Sequence, residues 1–336
     1  MKVLKVPLKN AEKATNLLHE LKLYDKRYLV KRTKMHLLIP VLKKDQIVQS
    51  KIPGSSFEQG ELQKKIKHDS YQELMKLSKS ELSKLPKSYD VIGDIIIIEI
   101  PDELVKKEKQ IAEALLKTHK NIKTILKKKG IHSGEFRIQP LSFLAGVDKR
   151  ETIYKENNVK LKFNVEKVYF SPRLSTERKR IYLQVKAKEY VLVMFSGVGI
   201  CPLVIAKNTK AKKILGIEKN PAAHEAAMQN KTLNKIANVE FVHGDVRRMM
   251  PDLKFDRIIM PLPKDAETFL SYAFSASKNG TIIHFYDFQK EILKAGAKVR
   301  KACKNNKMKC RILRTVRCGQ YSPGKYRVCV DFQIIL

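Results

Sequence analysis

From about Tyr169 onward, strand-like apolar runs alternate with helical stretches, and this rhythm constrains the fold more than any other feature. Strands are predicted at 190–195, 213–217, 239–242, 257–260 and 281–286, with helices at 201–207, 221–234, 266–276 and 288–303. Such alternation favours a mainly parallel sheet that helices cover on both faces. Two further strands, at 309–316 and 326–335, are expected to complete the sheet. The sequence therefore predicts a doubly wound α/β domain over 169–336.

The preceding part of the chain indicates two smaller units joined by a polar segment. Apolar residues at helical spacing over 11–22, then strand-like runs at 28–30 and 36–41, predict a small α/β domain over 1–53. The stretch 54–87 is rich in turn formers and lysine, which is typical of a linker with exposed helices. Residues 88–168 are interpreted as a basic, mixed α+β domain. Its predicted elements are strands at 95–100, 122–126 and 134–138, a helix over 101–118 and a hairpin over 152–163.

The charge balance points to a polyanionic partner. The 336 residues include 68 Lys and Arg against 34 Asp and Glu, a formal net charge of +34. A generally lysine-rich composition would explain the same excess, so charge alone does not decide. The apolar runs are too short to span a bilayer, and no signal-peptide core opens the sequence. Five cysteines without a Cys-x-x-Cys pair favour reduced thiols and no metal site. We expect a cytoplasmic protein with no membrane partner.

A nucleotide-type site is predicted where the first strand of the α/β domain ends. The strand runs into Ser196-Gly-Val-Gly199, and glycines there let the backbone approach a ligand. Glu218, at the end of the second strand, is placed to take ribose hydroxyls, and Asp245 follows the third strand. Pro202 interrupts Gly-x-Gly-x-x-Gly, which disfavours a dinucleotide and leaves S-adenosylmethionine as the better fit. The candidate contacts are Phe195, Ser196, Gly197, Val198, Gly199, Glu218, Lys219, Asp245, Val246 and Pro261.

Three motifs resemble one family. They are Tyr169-Phe-Ser-Pro-Arg-Leu-Ser-Thr-Glu-Arg-Lys-Arg180, Met194-Phe-Ser-Gly-Val-Gly199 and Gly134-Glu-Phe-Arg137. Together they are similar to the archaeal and eukaryotic tRNA (guanine-N1)-methyltransferases, which act on guanosine 37 next to the anticodon. The resemblance covers the whole chain. It implies a Rossmann-like class I methyltransferase domain, S-adenosylmethionine as cofactor, and a monomer that binds the anticodon loop and outer corner of tRNA.

The resemblance also implies roles for individual residues. Guanine N1 carries a proton and is a poor nucleophile until a general base removes it, and Glu177 matches the family's proposed base. Arg137 would stabilise the charge that develops on O6. Arg178 matches a cofactor contact, and the residues matching tRNA contacts are Tyr169, Arg173 and Arg180. Without the resemblance, Glu177 and the nearby arginines would be interpreted as a solvated helix face.

Three departures from the family pattern keep other functions open. Val193 stands where an acid is usual, Pro261 replaces the asparagine of Asn-x-Pro, and Glu218 replaces aspartate. A changed Asn-x-Pro motif fits a changed base pocket, so methylation of the wyosine precursor 4-demethylwyosine at the same position is one alternative. A non-catalytic tRNA-binding protein on the same scaffold is another. A methyltransferase for small molecules or proteins agrees poorly with the charge of +34.

Overall fold

The computed structural model describes residues 1–64, 70–75, 77–130, 133–262 and 265–335. The chain divides into two compact units, Met1–Ser70 and Tyr71–Leu336. Part of the predicted linker, at 65–69 and 76, lies outside the described residues, as do Pro263 and Lys264 beyond the fourth strand. No described helix is long and apolar enough to cross a lipid bilayer.

The first unit is a four-stranded sheet with two helices. Its elements are β1 (Lys2–Pro7), α1 (Ala11–Glu20), β2 (Lys31–Arg32), β3 (His36–Pro40), α2 (Gln46–Lys51) and β4 (Ser56–Gln59), and the strand order is β2-β3-β1-β4. The predicted strand at 28–30 is wrong, since Tyr28 makes only an isolated bridge to Lys64. Because β4 pairs with β1, this unit extends past residue 53 into the predicted linker.

The second unit opens with a smaller mixed sheet. Its elements are α3 (Lys79–Lys84), β5 (Asp90–Ile92), β6 (Ile95–Ile98), α4 (Glu108–Thr118), β7 (Thr124–Lys128) and β8 (Leu141–Gly146). The strand order is β5-β6-β7-β8, and α4 belongs to the crossover between the parallel strands β6 and β7. Tyr71 and Leu85 are buried in the core under this sheet, so the predicted linker is only partly exposed.

The predicted strand at 134–138 is also wrong. Gly134 has φ of +69° and Arg137 has φ of +51°, which is incompatible with an extended strand. The segment is a turn closed by the Arg137 N–H, which donates to the Gly134 carbonyl at 3.2 Å. Its ends meet in a bridge between Ser133 and Ile138.

A two-stranded hairpin links this sheet to the larger one. It consists of β9 (Glu151–Glu156) and β10 (Val159–Asn164). Asn157 and Asn158 have φ of +42° and +66°, as a tight hairpin turn requires. Leu161 and Phe163 belong to the same apolar cluster as Val191 of the large sheet, so the hairpin shares that core instead of ending a separate one before residue 169.

The large sheet has the predicted doubly wound form. Its elements are α5 (Ser175–Tyr182), β11 (Tyr190–Met194), α6 (Ile200–Asn208), β12 (Lys213–Glu218), α7 (Pro221–Leu233), β13 (Val239–His243), α8 (Val246–Met249), β14 (Phe255–Met260), α9 (Leu270–Ser275), β15 (Ser277–Gln289), α10 (Ile292–Asn305), β16 (Lys309–Ser322) and β17 (Lys325–Ile335). The described order is β13-β12-β11-β14-β15-β17-β16, with β17 antiparallel to both of its neighbours.

The strand order fixes where a ligand can bind. β11 lies between β12 and β14, so the chain leaves it first to one side and later to the other. In such sheets the helices on the two faces diverge at this switch point and open a crevice beyond the carboxyl ends of the strands. Val193 is fully buried inside β11, so the family's usual acid is replaced by a core residue.

The turn after β11 depends on a close helix approach at Gly199. Its φ of +82° suits glycine, and an added Cβ would lie 2.7 Å from the Phe241 ring. We expect Gly199→Ala to destabilise the protein by about 1–3 kcal/mol more than Gly324→Ala. Gly324 is the matched control, because its φ is +70° and nothing lies within 4 Å of an added Cβ. Urea denaturation measures both, and equal losses would contradict the close-approach explanation.

Candidate active site

Backbone strain shapes the turn that follows β11. Phe195 and Gly197 both have positive φ, of +59° and +56°. An ordinary residue in this region costs free energy, and such strain persists only where the surrounding structure enforces it. An added Cβ on Gly197 would meet none of the described atoms within 4 Å, so this glycine faces space that the described residues leave open. The turn therefore presents bare backbone at the mouth of the crevice.

Glu218 links this turn by hydrogen bonds to the turn that follows β12. Its Oε2 accepts a hydrogen bond from the Gly197 N–H at 2.7 Å, and its Oε1 accepts one from the Asn220 N–H at 2.8 Å. Burial raises the pKa of Glu218, against the lowering effect of these N–H donors. A carboxylate has about four lone-pair positions, so both oxygens keep acceptor capacity for a ligand's hydroxyl groups.

Asp245 and its cationic partners form the adjacent wall. Asp245 caps α8 by accepting from the Arg247 N–H at 2.9 Å, and its Oδ2 also accepts from Lys219 Nζ at 3.0 Å. The Arg247 guanidinium holds the pKa of Asp245 well below its usual range, although partial burial opposes the effect. Lys219 also pairs with Glu135. Asp245 is thus ionised at the edge of the crevice, with both oxygens already engaged by Arg247 and Lys219.

Three adjoining cavities open around this turn, and we name each by one residue. The Glu218 cavity is also lined by Lys219, Asp245, Val246, Phe269 and Arg137. The Glu177 cavity is also lined by Arg178, Ser196, Val198 and Tyr286. The Arg173 cavity is also lined by Asp90, Phe170 and Tyr321. The first two share Tyr169, Phe195, Gly197, Pro261 and Arg327, so they meet along the strained turn.

Glu177 is held in the interior by three donors. Its Oε1 accepts from Tyr286 Oη at 2.6 Å and from Arg180 Nη2 at 2.8 Å, and its Oε2 accepts from Arg180 Nε at 2.8 Å. Only 7% of Glu177 is exposed, so the alternative interpretation, in which Glu177 lies on a solvated helix face, is wrong. Burial raises the pKa of Tyr286 well above its ordinary value, so its hydroxyl remains a donor.

Arg180 connects Glu177 to a buried polar network. Its guanidinium also pairs with Asp331, whose Oδ1 accepts from His284 Nδ1 at 2.7 Å. Burial lowers the pKa of His284, so the ring is neutral and its Nε2 accepts from Arg257 Nη1 at 2.8 Å. Cys329 Sγ lies within 4.8 Å of the His284 and Asp331 ligand atoms, but the two guanidinium groups oppose a metal cation there.

The remaining predicted residues occupy different places. Arg178 lines the Glu177 cavity and pairs with the buried Glu156, and its Nη2 donates to the Ser171 carbonyl at 3.2 Å. Arg173 is exposed and donates to Asp90 at 2.7 Å. The Arg137 guanidinium lies 6.0 Å from the centre of the Tyr169 ring.

Two predicted contacts lie away from the cavities. Arg180 is only 17% exposed in its side chain and is engaged by Glu177 and Asp331, which favours an internal role over the predicted tRNA contact. Gly199 lines none of the three cavities and packs against Phe241 instead.

Comparison with known proteins agrees with this arrangement. Three family models match: the TRM5/TYW2 methyltransferase domain over 152–313, the TYW2 N-terminal domain over 71–149 and the tRNA methyltransferase 5 N-terminal domain over 4–47. A tRNA (guanine(37)-N(1))-methyltransferase, Trm5b of Pyrococcus abyssi, is 38% identical over 98% of both chains. The chain belongs to the TRM5/TYW2 methyltransferase family.

Further relatives in this family show its range of substrates and ligands. The 4-demethylwyosine(37)-methyltransferase Taw21 of Saccharolobus solfataricus is 34% identical, covering 74% of this chain and 94% of its own. A complex of aTrm5 with tRNALeu superposes with a TM-score of 0.72 at 34% identity, covering both chains fully. Methanocaldococcus jannaschii Trm5 in complex with adenosine gives 0.68 at 31% identity, covering 99% of each chain.

The family assignment confirms the predicted resemblance, the Rossmann-like fold and the enzyme class, and S-adenosylmethionine as the family's cofactor. The matched segments begin at residues 71 and 152, ahead of the predicted domain starts at 88 and 169.

Sequence reasoning missed several residues of the site. They are Glu156, Phe269, Tyr286, Phe288, Arg327 and Asp331. Tyr286 lies at the end of the predicted fifth strand, and that position is the one local signal that could have suggested it. Phe269 ends a 3-10 helix and the others lie in strands, and none of them belongs to a sequence motif.

Asp331 provides a test of the buried network. Burial opposes its ionisation, but hydrogen bonds from His284 and Arg180 hold its pKa well below the usual value. Its stabilisation is therefore complete above about pH 4, the ordinary carboxyl range, and is lost as the pH falls through the lower native pKa. We expect Asp331→Asn to cost about 3–5 kcal/mol at pH 7, because Arg180 loses a buried partner.

The same variant should also show a weaker loss of stability on acidification below about pH 4. Urea unfolding at several pH values measures both effects. Glu240→Gln is the control, because Glu240 forms an exposed pair with Lys213 at 2.7 Å and should cost about 1 kcal/mol or less. Equal effects of the two substitutions would contradict the network.

Proposed function

We propose that this protein transfers the methyl group of S-adenosylmethionine to N1 of guanosine 37 in tRNA, with Glu177 as general base. The observation that carries the proposal is the position of Glu177. Its carboxylate lies in a cavity that shares the strained turn after β11 with the Glu218 cavity. A base and a nucleoside-type site therefore adjoin, as direct methyl transfer requires.

The residues at the turn fit the methyl donor. Ser196 Oγ is buried and has no hydrogen-bond partner among the described atoms, and it lines the Glu177 cavity. Gly197 presents open space, and Glu218 keeps acceptor capacity for ribose hydroxyls. Phe269 and Val246 supply an apolar surface for the adenine. The cofactor supplies an electrophilic sulfonium methyl, and these residues would orient it.

Glu177 is arranged to receive one proton. Oε1 already accepts two hydrogen bonds and Oε2 accepts one, so the free lone pair is on Oε2. The proton of guanine N1 would move to Oε2 as the N1 lone pair attacks the methyl group. Arg180 and Tyr286 keep the carboxylate from rotating, which holds Oε2 in one direction.

Arg137 is placed to stabilise the other charge that develops. Loss of the N1 proton moves negative charge onto O6, and a fixed guanidinium stabilises that charge better than reorganising water does. Arg137 lines the Glu218 cavity from the turn at 134–137, beside Tyr169. In this proposal the flipped-out guanine lies between Glu177 and Arg137.

Binding of tRNA is supported by charge and by the relatives. The formal charge of +34 favours a polyanion, and Arg173 is exposed at the mouth of its cavity. The related aTrm5 has a solved complex structure with tRNALeu. We propose the anticodon loop as the part of tRNA that reaches this site.

Methylation of 4-demethylwyosine at position 37 is the second candidate. Pro261 lines both cavities and offers no side-chain hydrogen bond to guanine, and the relative Taw21 acts on this tricyclic base. Nucleoside mass spectrometry of unmodified tRNA, and of tRNA carrying 4-demethylwyosine, after incubation with labelled cofactor separates the two. A label only in the wyosine derivative would reject the guanosine proposal, and no label in either would reject both.

Glu177→Gln tests the general base. We expect the single-turnover rate of methyl transfer to fall about 100-fold or more, because the amide cannot accept the N1 proton. Cofactor affinity, measured by calorimetry, should stay close to that of the wild type. Glu151→Gln is the control, because Glu151 is an exposed carboxylate on β9. An unchanged rate in Glu177→Gln would remove this residue from the mechanism.

Arg137→Ala tests the stabilisation of O6. We expect the single-turnover rate to fall by about 10²–10³ while tRNA affinity changes little, because the charge on O6 develops only in the transition state. Arg311→Ala, which removes an exposed arginine from β16, is the control. If Arg137→Ala lowered only tRNA affinity, the role of Arg137 would be binding.

A further inference from the structure

Arg327 carries a donor that nothing in the described structure satisfies. Its Nε is buried without a hydrogen-bond partner among the described atoms. Its Nη2 lies 3.4 Å from Tyr169 Oη, which is a long contact. A buried, charged N–H group without an acceptor costs free energy, so its persistence points to a ligand that completes it.

The sheet holds this guanidinium in place. Arg327 on β17 pairs directly with Phe288 on β15, and its Cζ lies 5.4 Å from the centre of the Phe288 ring. Cross-strand neighbours at this separation restrict each other's side chains. The donor is therefore oriented before any ligand arrives.

Arg327 also stands where the three cavities meet. Among the described residues, Tyr169 and Arg327 line the Glu218, Glu177 and Arg173 cavities alike. A group that enters through the Arg173 cavity and reaches Glu177 would pass between these two side chains. A base that took this route would therefore come into contact with Arg327.

The surroundings favour a planar acceptor. The Phe288 ring lies against the guanidinium and Tyr169 Oη contacts its Nη2, so an acceptor would reach Arg327 between aromatic side chains on which a planar base can stack. Among the groups of an RNA, the planar one that an arginine recognises with two parallel hydrogen bonds is the N7 and O6 edge of guanine. That edge lies beside O6 on the side away from N1, so its use leaves N1 open to Glu177.

We propose that Arg327 binds the N7 and O6 edge of the target guanine and positions N1 toward Glu177. This inference rests on the proposed function, because it assumes that guanosine 37 enters the site. Arg327 is then a specificity-determining contact on the edge of the base that does not react. Pro261, which lines two of the same cavities, has no side-chain donor that could make this contact.

A double-mutant cycle, with one change in the protein and one in the RNA, tests the contact. The RNA partners are tRNA transcripts with guanosine or 7-deazaguanosine at position 37, and the proteins are wild type and Arg327→Ala. With guanosine, we expect Arg327→Ala to lower the single-turnover rate about 5- to 150-fold, the range of a bidentate arginine–guanine pair. With 7-deazaguanosine, the wild type should already have lost most of this factor, and Arg327→Ala should add little.

Equal losses on both transcripts would overturn the proposal, because they would place the acceptor elsewhere, for example on a phosphate. Arg327→Lys gives a second readout, since a lysine keeps the charge but loses the planar pair of donors. We expect it to resemble Arg327→Ala, and recovery of the wild-type rate would also overturn the proposal. Arg311→Ala serves as the charge control, and a cooperative urea-unfolding transition shows that Arg327→Ala folds.

A failure of the proposed function can be distinguished from a failure of the Arg327 contact. If the wild type left guanosine 37 unmethylated, the same cycle can be measured as tRNA affinity without the methyl donor. A coupling between Arg327 and N7 in that measurement would support the contact even then. Its absence there would reject the contact.

Discussion

One arginine shared between two buried carboxylates holds the site together. Arg180 on α5 pairs with Glu177 of the same helix and with Asp331 of β17, which is 151 residues further along the chain. Removing charges from water is costly, and the cost is offset only where partners and hydrogen bonds are complete. Since both carboxylates need this guanidinium, α5 must dock against the sheet in one orientation. The direction of the Glu177 carboxylate is therefore set by the sheet as much as by its own helix.

The nucleoside-type side of the site follows from strand order. Because β11 lies between β12 and β14, the turn after β11 has room to approach a ligand. Glu218 links this turn by hydrogen bonds to the turn that follows β12. Phe195 and Gly197 have positive φ, and within this turn the Gly197 N–H donates to Glu218. The same switch point places Pro261, after β14, beside the turn. The position of the crevice where a ligand can bind is thus a direct consequence of the strand order.

The side of the site that we propose receives the substrate base is assembled from distant parts of the second unit. Arg137 comes from a turn beside the small sheet, Tyr169 from the segment before α5, and Arg327 from the last strand. Each brings a cation or an aromatic face, which suits a base that has left its stack. The hairpin β9–β10 fills the space between the two sheets and shares its core with the large one. Rigid packing between the sheets therefore sets the distance between the groups that would hold the base.

Patterns of neighbouring residues were enough to predict part of the fold. Strand and helix alternation predicted the doubly wound sheet, and a hairpin was predicted over 152–163, because both signals depend on neighbouring residues. The same patterns failed at 134–138, where positive φ at Gly134 and Arg137 makes a turn of a segment that was expected to be extended. They also failed over 54–87, where β4 pairs with β1 and Leu85 is buried under a sheet, because sheet pairing and burial depend on residues far along the chain.

By itself, the sequence determined the class of fold, the glycine turn, the basic character of the protein and the motif block that marks its family. Only the tertiary structure decided that Glu177 is buried, that Arg180 faces inward and that Arg327 has a donor left unsatisfied by the described residues at the junction of three cavities. The reason is physical. Periodicity records which face of an element is apolar, whereas the partner of a buried charge is chosen by packing between elements far apart in the chain.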